Sequence, residues 1–254
     1  MRRFKSSYQI GLSLLIVFAG NLLSGCKKTT TATATSQICS QITGVEAIYW
    51  DLDNGIPRTD IPGGVPTVTS IGGTYIHPTV PLLTFIYPSG YTPYTDNTSG
   101  AVGVNLLRND NQAIWRYTNI TYYGSTTPAA VVSSEVSSLQ SYLGSSASIT
   151  TVCSESGTLP RAPGIATTSD AVLITFGNYT AVINVGITSE TGLPGEQITI
   201  STSEAPTTQF ANEALHTFLA IDYQMLYTGS GELDSDGDGY PDSIDDFPFD
   251  PTRH

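Results

Sequence analysis

The 254-residue chain carries 22 acidic against 10 basic side chains, a formal net charge of −12. Three of the ten, Arg2, Arg3 and Lys5, stand in the first five positions, and no lysine follows Lys28, so the body is more acidic still. A binder of phosphate backbones needs the opposite balance, which excludes nucleic acid as a partner, and the same field opposes adhesion to a bare anionic membrane.

Behind the basic start, an apolar run from Ile10 to Leu23 is too short for a comfortable membrane span and has the form of a secretory signal. It ends in Leu23-Ser24-Gly25-Cys26. These residues resemble the lipobox of bacterial lipoproteins. The resemblance implies cleavage before Cys26 and acylation of that cysteine, so that the membrane is held as a partner through lipid. Lys27 stands where an inner-membrane lipoprotein usually has aspartate, which implies the outer membrane or cell surface. The chain then divides into a signal peptide (1–25), the lipidated cysteine with a Thr/Ala-rich tether (26–37), a body (38–231) and an acidic C-terminal segment (232–254).

In the body, residues 44–125 read as strand-rich: Val45 to Trp50, Leu82 to Tyr87 and Ala113 to Tyr122 are aromatic and β-branched runs separated by Gly, Pro and Asn-Asp turn chemistry. A helix is expected from Thr127-Pro128, a cap followed by proline in the first turn, with Val132, Val136, Leu139 and Leu143 on one stripe and Gly144 as its stop. Strand signals return at 147–153 and at 170–187, where Gly177-Asn178 reads as a hairpin turn. A second helix is expected from Pro206 or Thr207 to Tyr227, with Phe210, Ala214, Phe218, Ile221 and Met225 on one stripe. The order predicts an α+β fold, an antiparallel sheet with two helices packed on one side, followed by an irregular calcium-binding loop. Cys39 and Cys153, the remaining thiols of an exported chain, are expected to form a disulfide.

After the second helix, eight carboxylates fall between Glu232 and Asp250. Such crowding costs folding energy unless a cation neutralises it. With Asp234 as position one, Asp236, Asp238, Asp242 and Asp245 occupy three, five, nine and twelve, Gly239 supplies the sharp turn at six, and Tyr240 offers a backbone carbonyl at seven. The segment resembles a bacterial thrombospondin type 3 repeat, whose aspartate core and trailing Pro-x-Asp-Pro are matched from Asp234 to Asp245 and from Pro248 to Pro251. That resemblance implies Ca2+ as the bound ion. A single copy is present, and Asp245 replaces the glutamate that closes an EF-hand loop.

No metalloprotease, nucleophile-elbow or phosphate-loop motif occurs, and His77, His216 and His254 have no catalytic neighbours in sequence. Glu46, Asp51, Asp53 and Glu135 could supply a hydrolytic pair, but no pair is favoured. The tyrosines at 87, 91 and 94 and at 117, 122 and 123 form either core packing or a patch for a glycan or an envelope or extracellular protein partner. The expectation is a non-enzymatic calcium-binding surface lipoprotein with a structural, adhesive or assembly role; the alternative is a carbohydrate-binding or hydrolytic envelope protein.

Overall fold

The computed structural model describes residues 39–50, 57–58, 64–96, 98, 100–226, 240, 244–247 and 253. Cys26, the tether and Asp234, Asp236, Asp238 and Asp242 lie outside them. The fold is α+β. Seven strands, β3 (Tyr91–Asp96), β4 (Ala101–Arg108), β5 (Ile114–Tyr122), β6 (Ile149–Ala162), β7 (Ile165–Phe176), β8 (Tyr179–Glu190) and β9 (Glu196–Pro206), form one antiparallel sheet in the order β3-β4-β5-β9-β8-β7-β6. A separate two-stranded hairpin is made by β1 (Ile71–Ile76) and β2 (Thr84–Pro88).

Helix α1 (Pro128–Leu143) forms where its cap residues put it: the Thr127 side chain accepts the Ala130 N–H, Pro128 fills the first turn, and Gly144 ends the helix at φ 63°. The second helix starts at Phe210, later than the Pro206 expectation, because Glu196–Pro206 is recruited as β9. It runs as α-helix over Phe210–Glu213, π-helix over Ala214–Phe218 and α-helix again over Leu219–Leu226. Phe210, Ala214, Phe218 and Ile221 of its expected stripe are buried. Val45–Tyr49, expected as a strand, is instead a 3-10 helix that lays Tyr49 and Trp50 into the core.

Each helix covers a single side of the sheet, and the two sides differ. Ile114, Ile174, Ile183, Val185 and Ile200 share one face and pack with Val131, Val132 and Leu139 of α1. Trp115, Leu173, Val182 and Ala205, one residue out of phase, face the opposite way and pack with Phe210, Phe218, Leu219 and Ile221 of the second helix. Successive side chains of a strand point to opposite faces, so Ile114 and Trp115 cannot serve the same layer. The expectation of both helices on one side therefore gives way to a sheet with one helix on each face. The β1–β2 hairpin joins the second helix in its layer: the Phe85 ring meets Trp115 edge-on at 5.2 Å, and Gln224 bonds both the N–H and the C=O of Ile86.

Cys39 and Cys153 form the expected disulfide, with a Cα–Cα distance of 5.1 Å and both residues fully buried in the second helix's layer. It closes a loop spanning 114 positions. Replacing both by alanine, Cys39→Ala/Cys153→Ala, should lower the free energy of unfolding by about 3–5 kcal/mol. Urea titrations of the two proteins, compared by midpoint and slope, measure it.

Candidate functional site

Of the expected calcium ligands, Tyr240 and Asp245 fall among the described residues. Tyr240 is exposed, as a residue offering only its backbone carbonyl can be. Asp245 is 8 % exposed; its Oδ1 accepts the Phe247 N–H at 2.7 Å, and its Oδ2 has no hydrogen-bond partner among the described residues. A buried carboxylate oxygen without a partner is costly, and a cation is one of the few ligands that removes the cost. The Arg253 guanidinium lies 3.9 Å from the centre of the Phe247 ring, beside the turn that holds Asp245. Among the described residues no group of three metal-ligating side chains converges.

Motif reading missed a second constellation, under α1. Arg116 on β5, 2 % exposed, donates from one guanidinium nitrogen to both carboxylate oxygens of Glu135 at 3.0 and 3.1 Å. Thr202 of β9, opposite Arg116 in the register, donates to the same Glu135 at 2.9 Å. Two residues further along this face of β9 lies Glu204, fully buried, with neither carboxylate oxygen hydrogen-bonded. Burial pushes its carboxyl up to about 8; Arg108 opposes the shift and Asp110 adds to it. Asn105 Oδ1 and Thr118 Oγ1, buried on this same face, also lack partners. The sequence signal was the strand Ile198-x-Ile200-x-Thr202-x-Glu204, whose buried side turns from apolar to polar within one period-2 run.

Glu135 and Glu204 thus combine an arginine-paired carboxylate with an uncharged carboxyl on one face, the charge pattern of a general acid and its partner. Their exposures are 1 % and 0 %, so no sugar reaches either as they stand. The other raised carboxyl, Asp222 of the second helix, is pushed up to about 7 by burial and accepts the Trp115 indole N–H at 2.8 Å. It lies on the far side of the sheet from Glu204 and cannot act with it. Glu46 sits half-buried in the 3-10 helix Val45–Tyr49, and Asp51 and Asp53 are outside the described residues.

His77 is buried, and its Nδ1 accepts the N–H groups of Thr79 and Val80, closing the turn between β1 and β2. His216 is exposed on the second helix. The tyrosines do not make one patch. Tyr87, Tyr91 and Tyr117 pack in the second helix's layer, Tyr122 packs in that of α1, and Tyr94 and Tyr123 are exposed. The Tyr91 hydroxyl donates to Glu213 at 2.6 Å, beside the Arg108–Glu213 pair that ties the β4–β5 turn to the second helix.

No protein family matches the chain, and no curated protein does. Among solved structures, it is similar over 60 % of its length, and over 87 % of the other chain, to the Saccharomyces cerevisiae Ran-binding protein Mog1p, with a TM-score of 0.30 and 11 % identity. A likeness this low carries no argument about fold or role.

Glu204 binds its proton more tightly folded than unfolded, so the stability it contributes is complete below about pH 4.5 and is lost as pH rises to about 8. Glu204→Gln should remove this slope, gaining on the parent by up to about 1.4 kcal/mol per pH unit within that window. Unfolding titrations at pH 5, 6, 7 and 8 measure the difference; parallel stability profiles would reject the buried acid. Glu135→Ala, which removes the carboxylate facing the buried Arg116, should instead cost about 3–5 kcal/mol in the same assay at pH 7.

Proposed function

We propose that the chain is an exported lipoprotein, held at the outer membrane or cell surface by acyl chains on Cys26, whose C-terminal segment binds calcium. Its role is structural, adhesive or in assembly, and it is not an enzyme. The observation that carries the calcium reading is Asp245, buried at position twelve of the aspartate register with one carboxylate oxygen left without a partner. Asp234, Asp236, Asp238 and Asp242 would supply the other carboxylates and Tyr240 its backbone carbonyl, an all-oxygen set of the kind calcium takes readily and magnesium resists.

Export draws support from the Cys39–Cys153 bond, because disulfides persist in oxidising compartments and are rare where glutathione keeps thiols reduced. Among the described residues no helix is long and apolar enough to cross a membrane. The non-enzymatic reading rests on the burial of Glu135 and Glu204 and on the sheet that separates Glu204 from Asp222.

Calcium should raise the unfolding temperature of the mature protein. The gain saturates with the site and amounts to about 2.7 kcal/mol when free calcium is a hundredfold above Kd. Asp234→Asn/Asp238→Asn should abolish that response and the heat of binding while leaving the calcium-free unfolding temperature unchanged. Absence of any thermal or calorimetric response at millimolar calcium would sink the proposal.

A further inference from the structure

The β1–β2 hairpin lies in the outer layer on the second helix's side of the sheet, and its outward face is uncharged, with Ile76 and Ile86 set across from Thr84 and Thr74. Tyr75, Leu83 and Phe85 point into the core, while Ile71, Ile76 and Ile86, with Leu82 at the turn, are 67, 60, 39 and 45 % exposed. Between Asp60 and Asp96 there is no Asp, Glu, Lys or Arg at all. In a chain of net charge −12, this is a long neutral segment that presents several aliphatic side chains to solvent together. Single exposed aliphatics are ordinary; several on one uncharged surface mark a contact.

We propose that this face docks onto the neutral lipid interface of the membrane to which the chain is anchored. The proposal rests on the reading of Cys26 as the lipidated residue. Three observations select lipid over another occupant. Cys39, where the tether meets the body, is buried in the same core cluster as Tyr75, Leu83 and Phe85, so the chain leaves the body from the hairpin's side of the sheet. The thirteen residues from Cys26 to Cys39 reach at most about 45 Å, which keeps that side near the bilayer. The acidic body is repelled by anionic headgroups, and the charge-free hairpin is the surface that can enter the interface without that cost. On the β2 edge, Gln224 occupies both the N–H and the C=O of Ile86, which obstructs strand addition there.

The test is flotation of the full mature chain, carrying Cys26→Ala so that no acyl chain contributes, with phosphatidylcholine vesicles. The Cys26→Ala chain should float with the vesicles. Adding Ile76→Glu/Ile86→Glu should reduce the bound fraction roughly tenfold or more, with unfolding temperature and disulfide unchanged. Ile76→Ser/Ile86→Ser, which adds no charge, should lose binding several-fold and guards against a folding defect in the glutamate pair. Failure of the Cys26→Ala chain to float, or equal flotation of the variants, would overturn the proposal. So would a dimer in sedimentation velocity that the same substitutions dissociate, since a second copy would then cover the face. Incorporation of labelled palmitate into the precursor, lost with Cys26→Ala, tests the anchor separately, and flotation reads the hairpin whichever way that result falls.

Discussion

Strand β5 lies between two cores and must satisfy both. Trp115 turns to one side, where Phe85 meets its ring edge-on and Asp222 takes its indole proton. Arg116, the next residue, turns to the other side and is held by Glu135 of α1. The alternation of a single pleated strand thereby places one aromatic anchor and one charged anchor in separate layers. Because β9 is registered against β5, Ser203 follows Trp115 and Thr202 follows Arg116, and the same division is handed on to β8 and β7.

The division governs the electrostatics. A buried ion pair such as Arg116–Glu135 stabilises little by itself, but removal of either member takes the neutralising charge from the other in the interior. Glu204 and Asp222 resolve the same difficulty differently: each holds its proton, and each does so on its own side of the sheet. Glu135, Glu204 and Asp222 thus lie deep against the sheet, one paired and two with their ionisation suppressed by burial. The cost accrues as pH rises from about 4.5 to about 8, where the unfolded chain releases the proton that folded Glu204 retains.

Much of this was legible in the sequence, for identifiable reasons. Thr127, Pro128 and Gly144 fix the ends of α1 through local backbone chemistry that tertiary contacts did not need to supply. The Phe210 to Ile221 stripe gave the second helix, and the Gly177-Asn178 turn gave the β7–β8 hairpin. Val45 to Trp50 misled because aromatic and β-branched residues also suit a short 3-10 helix that only has to bury Tyr49 and Trp50. Strand β9 was hidden by Ser201 to Glu204, a polar run that reads as loop until Glu135 and Arg116 are seen to occupy its buried side. The helices' opposite placement did have a signal. The run from Ala181 to Val185 is nearly continuous in apolar residues, which a sheet covered on one face alone does not require. The aspartate register is legible from spacing alone, whereas Asp245's unpartnered oxygen is visible only in three dimensions.

Helix α1 occupies the side of the sheet away from both the Cys39 entry and the second helix, from which the acidic segment departs at Leu226. Its one ionisable carboxylate, Glu135, is turned inward, and its outer surface is built of alanine and serine, with Ser133 and Ser137 folding their hydroxyls back onto the carbonyls of Ala129 and Ser133. The exposed row of α1 therefore carries no charged side chain, and the hydroxyls of Ser133 and Ser137 are engaged within the helix itself. Such a face is electrically quiet, while the charged pair of Arg116 and Glu135 is confined beneath it.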